Sequence, residues 1–357
     1  MAKVVLVTGV ARYLGARFAR TISADPSIDR VIGVDVVAPH HDLGACEFIR
    51  ADIRNPVIAK IIDRGAVDTV VHLSVIATPT AAAGRGSMKE INVIGTMQLL
   101  AACHRSTTVR RFVMKSTASV YGASSKDPAR FTEDDAAGRL PRSGWGRDCV
   151  EVEGYVRGFS RRRPDVDIAV LRLANVLGPG VTTEVTEYFR QPVPISVLGF
   201  DPRLQFVHED DLVEALRLAT VGSVTGTVNV AGDGVMSLSQ ALGRLGRPSL
   251  PVPRGRLETA ARAVGKLVGA QVGPDLMLLL TYGRALDTTR MRADLGLEPR
   301  FTTEQTFEAM AQALAVQPML AEHTLDGGIA RVVDTVGKVE SVGRAFLAGF
   351  GSPGATR

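Results

Sequence analysis

The sequence predicts an α/β protein built on a doubly wound parallel sheet, and three observations predict it. Short Val/Ile-rich runs alternate with helix-length amphipathic segments from the first residues onward, as parallel strands joined by crossover helices do. Those runs are nearly continuous in apolar residues, as strands buried on both faces must be. The chain has 357 residues, 45% hydrophobic and 22% charged, which is globular in composition and long enough for a large domain with a smaller companion.

Strands are expected at Val4–Thr8, Val31–Asp35, Cys46–Arg50, Thr69–Leu73, Arg111–Ser116 and Ile168–Leu173. Between them, helices should fill Leu14–Ser23, Ile58–Arg64, Met88–Arg105 and Cys149–Arg161. The stretch from Ala123 to Gly146 is polar, rich in Gly and Pro and longer than most connections, so it reads as a functional lid or a disordered loop. After Gly178-Pro179-Gly180 the alternation weakens and prolines accumulate. This predicts a sheet domain over 1–178, to which the chain returns around 204–232, and a smaller domain formed by 179–203 and 233–316. Helices of the second half are expected at Asp210–Thr220, Ser237–Leu245 and Leu257–Leu267, and no internal repeat is visible.

The tail, 317–357, carries Ile329, Val332, Val333, Val336, Val339, Val342 and Phe346 at helical spacing, which predicts one amphipathic helix. Its apolar stripe suits docking on its own protein or on a dimer mate. Peripheral contact with a membrane is the second reading, weakened by the few basic residues.

Charge and composition exclude several functions. The 42 Lys and Arg against 37 Asp and Glu leave +5, spread along the chain, and aromatics are only 5%, so the clustered basic face and stacking rings of a nucleic-acid reader are missing. Cys46, Cys103 and Cys149 lie far apart without a Cys-x-x-Cys pair, which argues against a disulfide framework or a metal site and for a reducing compartment. No apolar stretch of signal-peptide length precedes the first strand. The apolar patch Leu276–Leu280 is cut off by Pro274 and Asp275, far short of the ~20 residues of a membrane span. A soluble, cytoplasmic protein is expected.

The first strand runs into Thr8-Gly9-Val10-Ala11-Arg12-Tyr13-Leu14-Gly15, where a helix begins. That is where a dinucleotide pyrophosphate sits against free backbone N–H groups and the positive end of a helix. Glycine suits such a place because a Cβ would keep backbone from phosphate. Asp35 closes the second strand about 20 residues further on, where a carboxylate can accept both hydroxyls of an adenosine ribose and repel a 2′-phosphate. The pair points to NAD over NADP, although Arg12 beside the loop could pair with a phosphate.

Further blocks follow in order. They are Arg50-Ala51-Asp52-Ile53-Arg54, Val70-Val71-His72-Leu73-Ser74, Asn92 with Gly95-Thr96, and Lys115-Ser116-Thr117 leading to Tyr121-Gly122. Beyond these come Leu171-Arg172 with Asn175 and Gly178-Pro179, Phe206 to Asp211, and Asp287 to Pro299. With them the sequence resembles the extended short-chain dehydrogenase/reductase family of NAD-dependent epimerases and dehydratases, over roughly residues 3–316. The resemblance implies a Rossmann fold. It also implies that Gly9, Arg12, Tyr13, Leu14 and Gly15 border the pyrophosphate and that Asp35 and Val36 hold the adenosine ribose. Asp52 and Ile53 would flank the adenine, Leu73, Ser74 and Ser116 would line the cofactor's path, and Asn92 would shape the nicotinamide side. In the family's Thr-Gly-x-x-Gly-x-x-Gly the middle glycine is Arg12 here.

The resemblance also implies a proton-transfer set: a tyrosine, a lysine four residues later, and a serine or threonine that polarises the substrate oxygen. Thr117 matches the last of these. The markers Thr132 to Asp135 and Pro141 then place Trp145 where the tyrosine belongs and Cys149 where the lysine belongs. No tyrosine of the chain has a lysine four residues on, and no lysine occurs between Lys126 and Lys266. An indole N–H donates but cannot act as a base. Cys149, near an expected helix start, reads as a buried core thiol before a nucleophile, and His72 as a packed strand residue before a base. Asp148 and Arg147 read as capping and solvated charges, and Arg161 to Arg163 as a cap on a helix's negative end.

Two functional readings remain. One is a nicotinamide-nucleotide-binding protein with weak or no turnover. The other is an epimerase, dehydratase or oxidoreductase acting on a sugar nucleotide or similar hydroxyl substrate through Thr117 and a non-standard acid or base. Substrate-pocket residues are expected from Val181–Leu204 and Pro248–Leu280, and a homodimer through the helices at Met88–Arg105 and Cys149–Arg161.

Overall fold

A computed structural model describes residues 3–74, 89–135, 144–257, 259 and 273–314. Most of the helix expected at Leu257–Leu267, the residue Met88, the marker Pro141 and the whole tail lie outside the described residues.

Seven strands form one parallel sheet: β1 (Val4–Thr8), β2 (Arg30–Asp35), β3 (Glu47–Arg50), β4 (Thr69–His72), β5 (Arg111–Thr117), β6 (Asp167–Leu173) and β11 (Gly226–Val230). Their spatial order is β11-β6-β5-β4-β1-β2-β3. The order reverses between β1 and β4, and ligands of such sheets bind at the carboxyl ends of the strands beside that reversal. All five residues of β1 are buried, which is why it reads as an unbroken apolar run.

The crossovers are α1 (Tyr13–Ser23), α2 (Val57–Arg64), α3 (Gly95–Arg105, entered through a π-turn at Glu90–Ile94) and α4 (Gly144–Arg162). The second half contributes α5 (Glu184–Arg190), α6 (Glu209–Val221), α7 (Leu238–Arg244), α8 (Pro274–Tyr282), α9 (Thr289–Ala293) and α10 (Thr303–Ala313). Helices α2, α3 and α4 pack side by side, while α1 packs against α6. Along β5 successive side chains serve opposite faces: Arg111 donates to the carbonyls of Ala219 and Val224, and the Phe112 ring meets Phe159 of α4.

The main apolar core wraps the sheet, and a second cluster gathers Leu177, Tyr188, Phe189, Phe206, Leu279 and Phe307. The six main expected strands are all present, each end within one residue of expectation. Short strands were not foreseen: β7 (Asn175–Leu177) pairs with β10 (Phe206–His208), β8 (Ile195–Val197) with β13 (Leu250–Val252), and β9 (Arg203–Leu204) with β12 (Met236–Ser237). Two or three residues carry no readable period. The expected helix starts at Asp210 and Ser237 fall within one residue, because His208 and Ser237 cap α6 and α7 with side-chain acceptors.

One boundary is corrected. Helix α4 starts at Gly144, not Cys149, so Cys149 lies in its second turn, away from the free amides of a helix start. Among the described residues, no helix is long and apolar enough to cross a membrane, and no group of three or more His, Cys, Asp or Glu side chains could hold a metal ion.

Candidate functional site

The cleft lies at the carboxyl edge of the sheet where β1, β4 and β5 end. Gly9 takes φ +85°, a left-handed conformation that favours glycine, and a Cβ there would come within 3.0 Å of the Ser74 amide nitrogen. A Cβ on Gly15 would fall on the Gly9 carbonyl oxygen, so the loop can close this tightly only with glycine at both positions. Arg12 is the N-cap residue of α1 and offers no side-chain acceptor, so the first amides of the helix are left to the cleft. This cradle, with free donors and no Cβ in the way, fits a dinucleotide pyrophosphate.

Asp35 stands at the end of β2. Its Oδ2 accepts the Ala11 N–H at 3.0 Å and its Oδ1 accepts the Val36 N–H at 2.7 Å, which fixes the carboxylate beside the loop. Arg12 is exposed at the mouth; burial of its inner part lowers its pKa and the facing Asp35 raises it. Val36 is exposed, as an adenosine-facing residue can be, whereas Ile53 is buried against Gly95. Asp52 is held by the Arg54 guanidinium, whose hydrogen bonds lower the carboxyl pKa, and a cavity of about 570 Å³ opens beside it between Arg50 and Lys60. Leu14 packs on the core.

Two side chains predicted for the cofactor are engaged elsewhere. The Tyr13 hydroxyl donates to Glu209 Oε1 at 2.9 Å, and its ring occupies the space a Cβ on Gly180 would need. The Ser116 hydroxyl donates to Glu153 Oε1 at 2.6 Å on the α4 side of the sheet, opposite to Thr117.

The floor of the cleft is one directed chain of hydrogen bonds. The Leu73 N–H donates to Thr8 Oγ1 (3.2 Å), and Thr8 Oγ1 lies 2.8 Å from His72 Nδ1. His72 Nε2 lies 2.8 Å from Thr96 Oγ1, whose proton goes to the Asn92 carbonyl at 2.5 Å. Because Thr96 uses its only proton on Asn92, it must accept from His72, which makes the imidazole the neutral Nε2–H tautomer. Burial, followed by the positive Lys115, takes its pKa down to about 3. His72 is therefore a packed strand residue, as its motif suggested. Fully buried Asn92 in turn donates to Asp148 Oδ2 at 3.4 Å. Asp148 is accordingly buried and not a solvated cap, while Arg147 is exposed.

Thr117 ends β5 buried. Its Oγ1 accepts the Ser119 N–H at 3.1 Å, and no acceptor for its own proton is found among the described residues. Trp145 is half-buried, with its indole N–H enclosed and without a hydrogen-bond partner among the described residues. Cys149 is fully buried, and burial together with Glu153 and Asp148 raises its pKa well above the usual thiol range, which makes it inert.

Sequence reading missed Lys115. It lies two residues before Thr117 on the same face of β5 and is half-buried. Burial and then Arg12 bring its pKa down to about 8, and Cys149 raises it. No hydrogen-bond or ion-pair partner for the ammonium is found among the described residues. The signal was available: a lysine directly after the apolar run Phe112 to Met114, within a block quoted for its hydroxyls.

Arg163 caps a helix's negative end, as expected, and the helix is α3: Nη1 donates to the carbonyls of Cys103, His104 and Ser106. A second cavity, about 600 Å³, is lined by Arg130, Asp233, Asp287 and Arg292 among others, none of them in the two stretches expected to form a substrate pocket.

Comparison with known proteins agrees with this geometry. Residues 5–231 match the family described as the NAD dependent epimerase/dehydratase family. An uncharacterized protein of Mycobacterium tuberculosis is 42% identical over 338 residues, covering 93% of this chain and 89% of its own. A dTDP-glucose 4,6-dehydratase of Streptomyces niveus is 27% identical over 326 residues, covering 83% of this chain and 88% of its own. Among solved structures, dTDP-glucose 4,6-dehydratase from Bacillus anthracis in complex with NAD superposes with a TM-score of 0.66 at 19% identity, over 88% of this chain and 97% of that one. UDP-glucuronic acid 4-epimerase from Bacillus cereus, in complex with UDP-glucuronic acid and NAD, gives 0.66 at 20% identity, over 87% and 99%. Both share the fold.

Proposed function

The chain belongs to the NAD dependent epimerase/dehydratase family, and on that premise we propose that it binds NAD in this cleft and turns over little or not at all by the family's tyrosine–lysine route. The observation that carries the reading is the contrast within the site. The Gly9–Gly15 cradle and Asp35 are in place, while the helix that should bear the base presents a half-buried indole and an inert thiol. Loss of a general base commonly costs about 10² to 10⁴ in rate. NAD is preferred over NADP because Asp35 would meet a 2′-phosphate with like charge. The structures of relatives in complex with NAD support the same cofactor.

When bound, the nicotinamide supplies a hydride acceptor. The chain's own residues cradle the phosphates, orient the adenosine ribose and close the floor with a neutral His72. The sheet part, 1–178, would take the nucleotide, and 179–203 with 233–316 the substrate, which the separate apolar cluster of the second half supports. Titrating the protein with NADH and NADPH by calorimetry, then incubating the complex with sugar nucleotides, tests the reading. Tight NADH binding without product is expected. The absence of heat with NADH at millimolar concentration overturns it.

A second reading is favoured by one unused donor. The Thr117 O–H lacks an acceptor among the described residues, and such a donor can polarise a substrate oxygen. An oxidoreductase, epimerase or dehydratase reaction on a sugar nucleotide would then proceed with a non-standard base. Product formation that disappears in Thr117→Val selects this reading over the first.

A homodimer through α3 and α4 is part of the proposal. Ile94 and Met97 are 46% and 44% exposed and lie three residues apart at the outer start of α3, where a partner would cover them. Light scattering at micromolar concentration should give twice the chain mass.

A further inference from the structure

We propose that Glu209 is a positioning residue for the dinucleotide loop: through the Tyr13 hydroxyl it fixes the first turn of α1, whose free amides meet the diphosphate of the cofactor. The proposal rests on the reading of the cleft as a dinucleotide site and adds to it a residue that acts from behind the loop.

Glu209 opens α6, far from the loop in sequence, and its side chain is only 5% exposed. A carboxylate so enclosed has to be met by donors. Three meet it. The Tyr13 hydroxyl at 2.9 Å and Arg17 Nη1 at 2.8 Å both donate to Oε1, and the Gly180 N–H donates to Oε2 at 3.1 Å. Tyr13 is the first residue of α1, and Arg17 follows one turn later on the same face. The chain opposite is shaped to receive these groups. A Cβ on Gly178 would lie 2.6 Å from the Glu209 carboxyl carbon, and one on Gly180 would fall on the Tyr13 ring.

Helix α6 does not by itself call for this acid. Asp210 and Asp211 already place negative charge at its start, and Asp210 pairs with Arg17 as well. Glu209 turns instead to α1, whose start has no side-chain anchor of its own. Arg12 caps α1 without a side-chain bond, so the amides of the first turn are left to the cleft. Tyr13 therefore carries one amide of the cradle on its backbone and, on its side chain, the bond that fixes where that amide points. Burial and then Glu209 raise the pKa of the phenol, so it stays a donor. On its other side the ring meets His41 edge-on, with centroids 5.6 Å apart, in the segment that follows Asp35. The ring is thus held between the adenosine side of the cleft and the stretch from Gly178 to Gly180. Without the bond to Glu209 the first turn would spend part of its time in other orientations, and binding would weaken by the fraction of molecules that remain ready.

The test is an NADH titration, followed by fluorescence, on the full chain and on Tyr13→Phe, Glu209→Gln and the double variant, with a thermal melt of each and with displacement of the NADH by ADP and by adenosine. Tyr13→Phe keeps the ring and removes one oxygen, and it should weaken NADH about 3- to 10-fold. Glu209→Gln should weaken it at least as much, and the double variant no further than Glu209→Gln alone. ADP should weaken in step with NADH, whereas adenosine, which has no phosphate to meet the loop, should keep its affinity. Wild-type NADH affinity in Tyr13→Phe overturns the proposal, and so do losses that add in the double variant. A loss that falls equally on adenosine and ADP also overturns it, because a general loosening of the fold would produce that. If Glu209→Gln does not melt cooperatively, Tyr13→Phe decides alone. Failure of the wild-type chain to bind NADH removes the dinucleotide reading, and the proposal with it, and is told apart in the first titration.

Discussion

Arg172 on β6 and Glu153 on α4 form a buried, two-pronged ion pair beneath the cleft, with Nε to Oε1 at 3.1 Å and Nη2 to Oε2 at 2.8 Å. Ser116 donates to the same carboxylate, and Arg172 Nη1 passes the network on to the Tyr121 hydroxyl, which donates to Asn229 Oδ1 at 2.7 Å. Removing one partner of such a pair leaves a buried charge. Glu153→Ala should therefore destabilise the fold by roughly 3–5 kcal/mol in urea unfolding. Ser116→Ala, which removes one hydrogen bond, should cost about 1 kcal/mol and leave NADH affinity unchanged.

The two glycines of the loop should be indispensable for different reasons. Gly9→Val imposes a branched side chain on a left-handed backbone, and Gly15→Ala places a methyl on a carbonyl oxygen. Both variants are expected to lose measurable NADH binding in calorimetry while far-UV circular dichroism keeps the α/β signature.

Lys115 should shape the alkaline limb of stability. Its folded pKa is about 8 against an ordinary 10.5, so between these values the unfolded chain holds the proton that the folded chain has released. Stability should accordingly rise with pH through that window, and the contribution is absent below about 8, where both states are charged. The groups facing it are Arg12, His72 and Cys149. Lys115→Met should flatten this limb in chemical unfolding from pH 7 to 10. It should also be more stable than wild type at pH 7.

His72 should act at the other end of the scale. Its pKa falls from 6.5 to about 3 on folding, so the unfolded chain binds more protons between those values. Stability is lost as pH falls through the window, and His72→Gln should reduce the slope by one proton's worth. Unfolding midpoints measured at pH 4 and pH 7 for both proteins check the sign.

The thiols give an inexpensive probe of the core. Cys103 and Cys149 are buried, and burial raises Cys103 to about 12 and Cys46 to about 11. At pH 8 the native chain should react with a disulfide reagent slowly and through Cys46 first, whereas all three cysteines should react at once in guanidinium chloride.

How far the sequence could be read depended on the length of each signal. The buried strands of the main sheet, such as Val4–Thr8 and Thr69–His72, announce themselves because an apolar run between breakers has few other uses. The cradle was legible because glycines at 9 and 15 and an acid at 35 have a shared mechanism. Lys115 was not. Its meaning depends on which face of β5 it takes, and that is set by the packing of elements distant in sequence. The beginning of α4 was missed for a local reason: Gly144, Trp145 and Gly146 are poor helix formers, and the Gly146 N–H is held by Asp275 Oδ2 at 2.9 Å, a contact from 129 residues away. The short strands after Gly178 depend on pairing alone.

Arg163 has a mechanical consequence. Its guanidinium rivets the end of α4 to the final carbonyls of α3, three from one nitrogen, with a further bond from Nη2 to the carbonyl of Val109 at 3.2 Å. Two rods fastened at the same end tilt as a single plate. Loosening one helix at that end should therefore loosen the other, so α3 and α4 are expected to open together in hydrogen exchange.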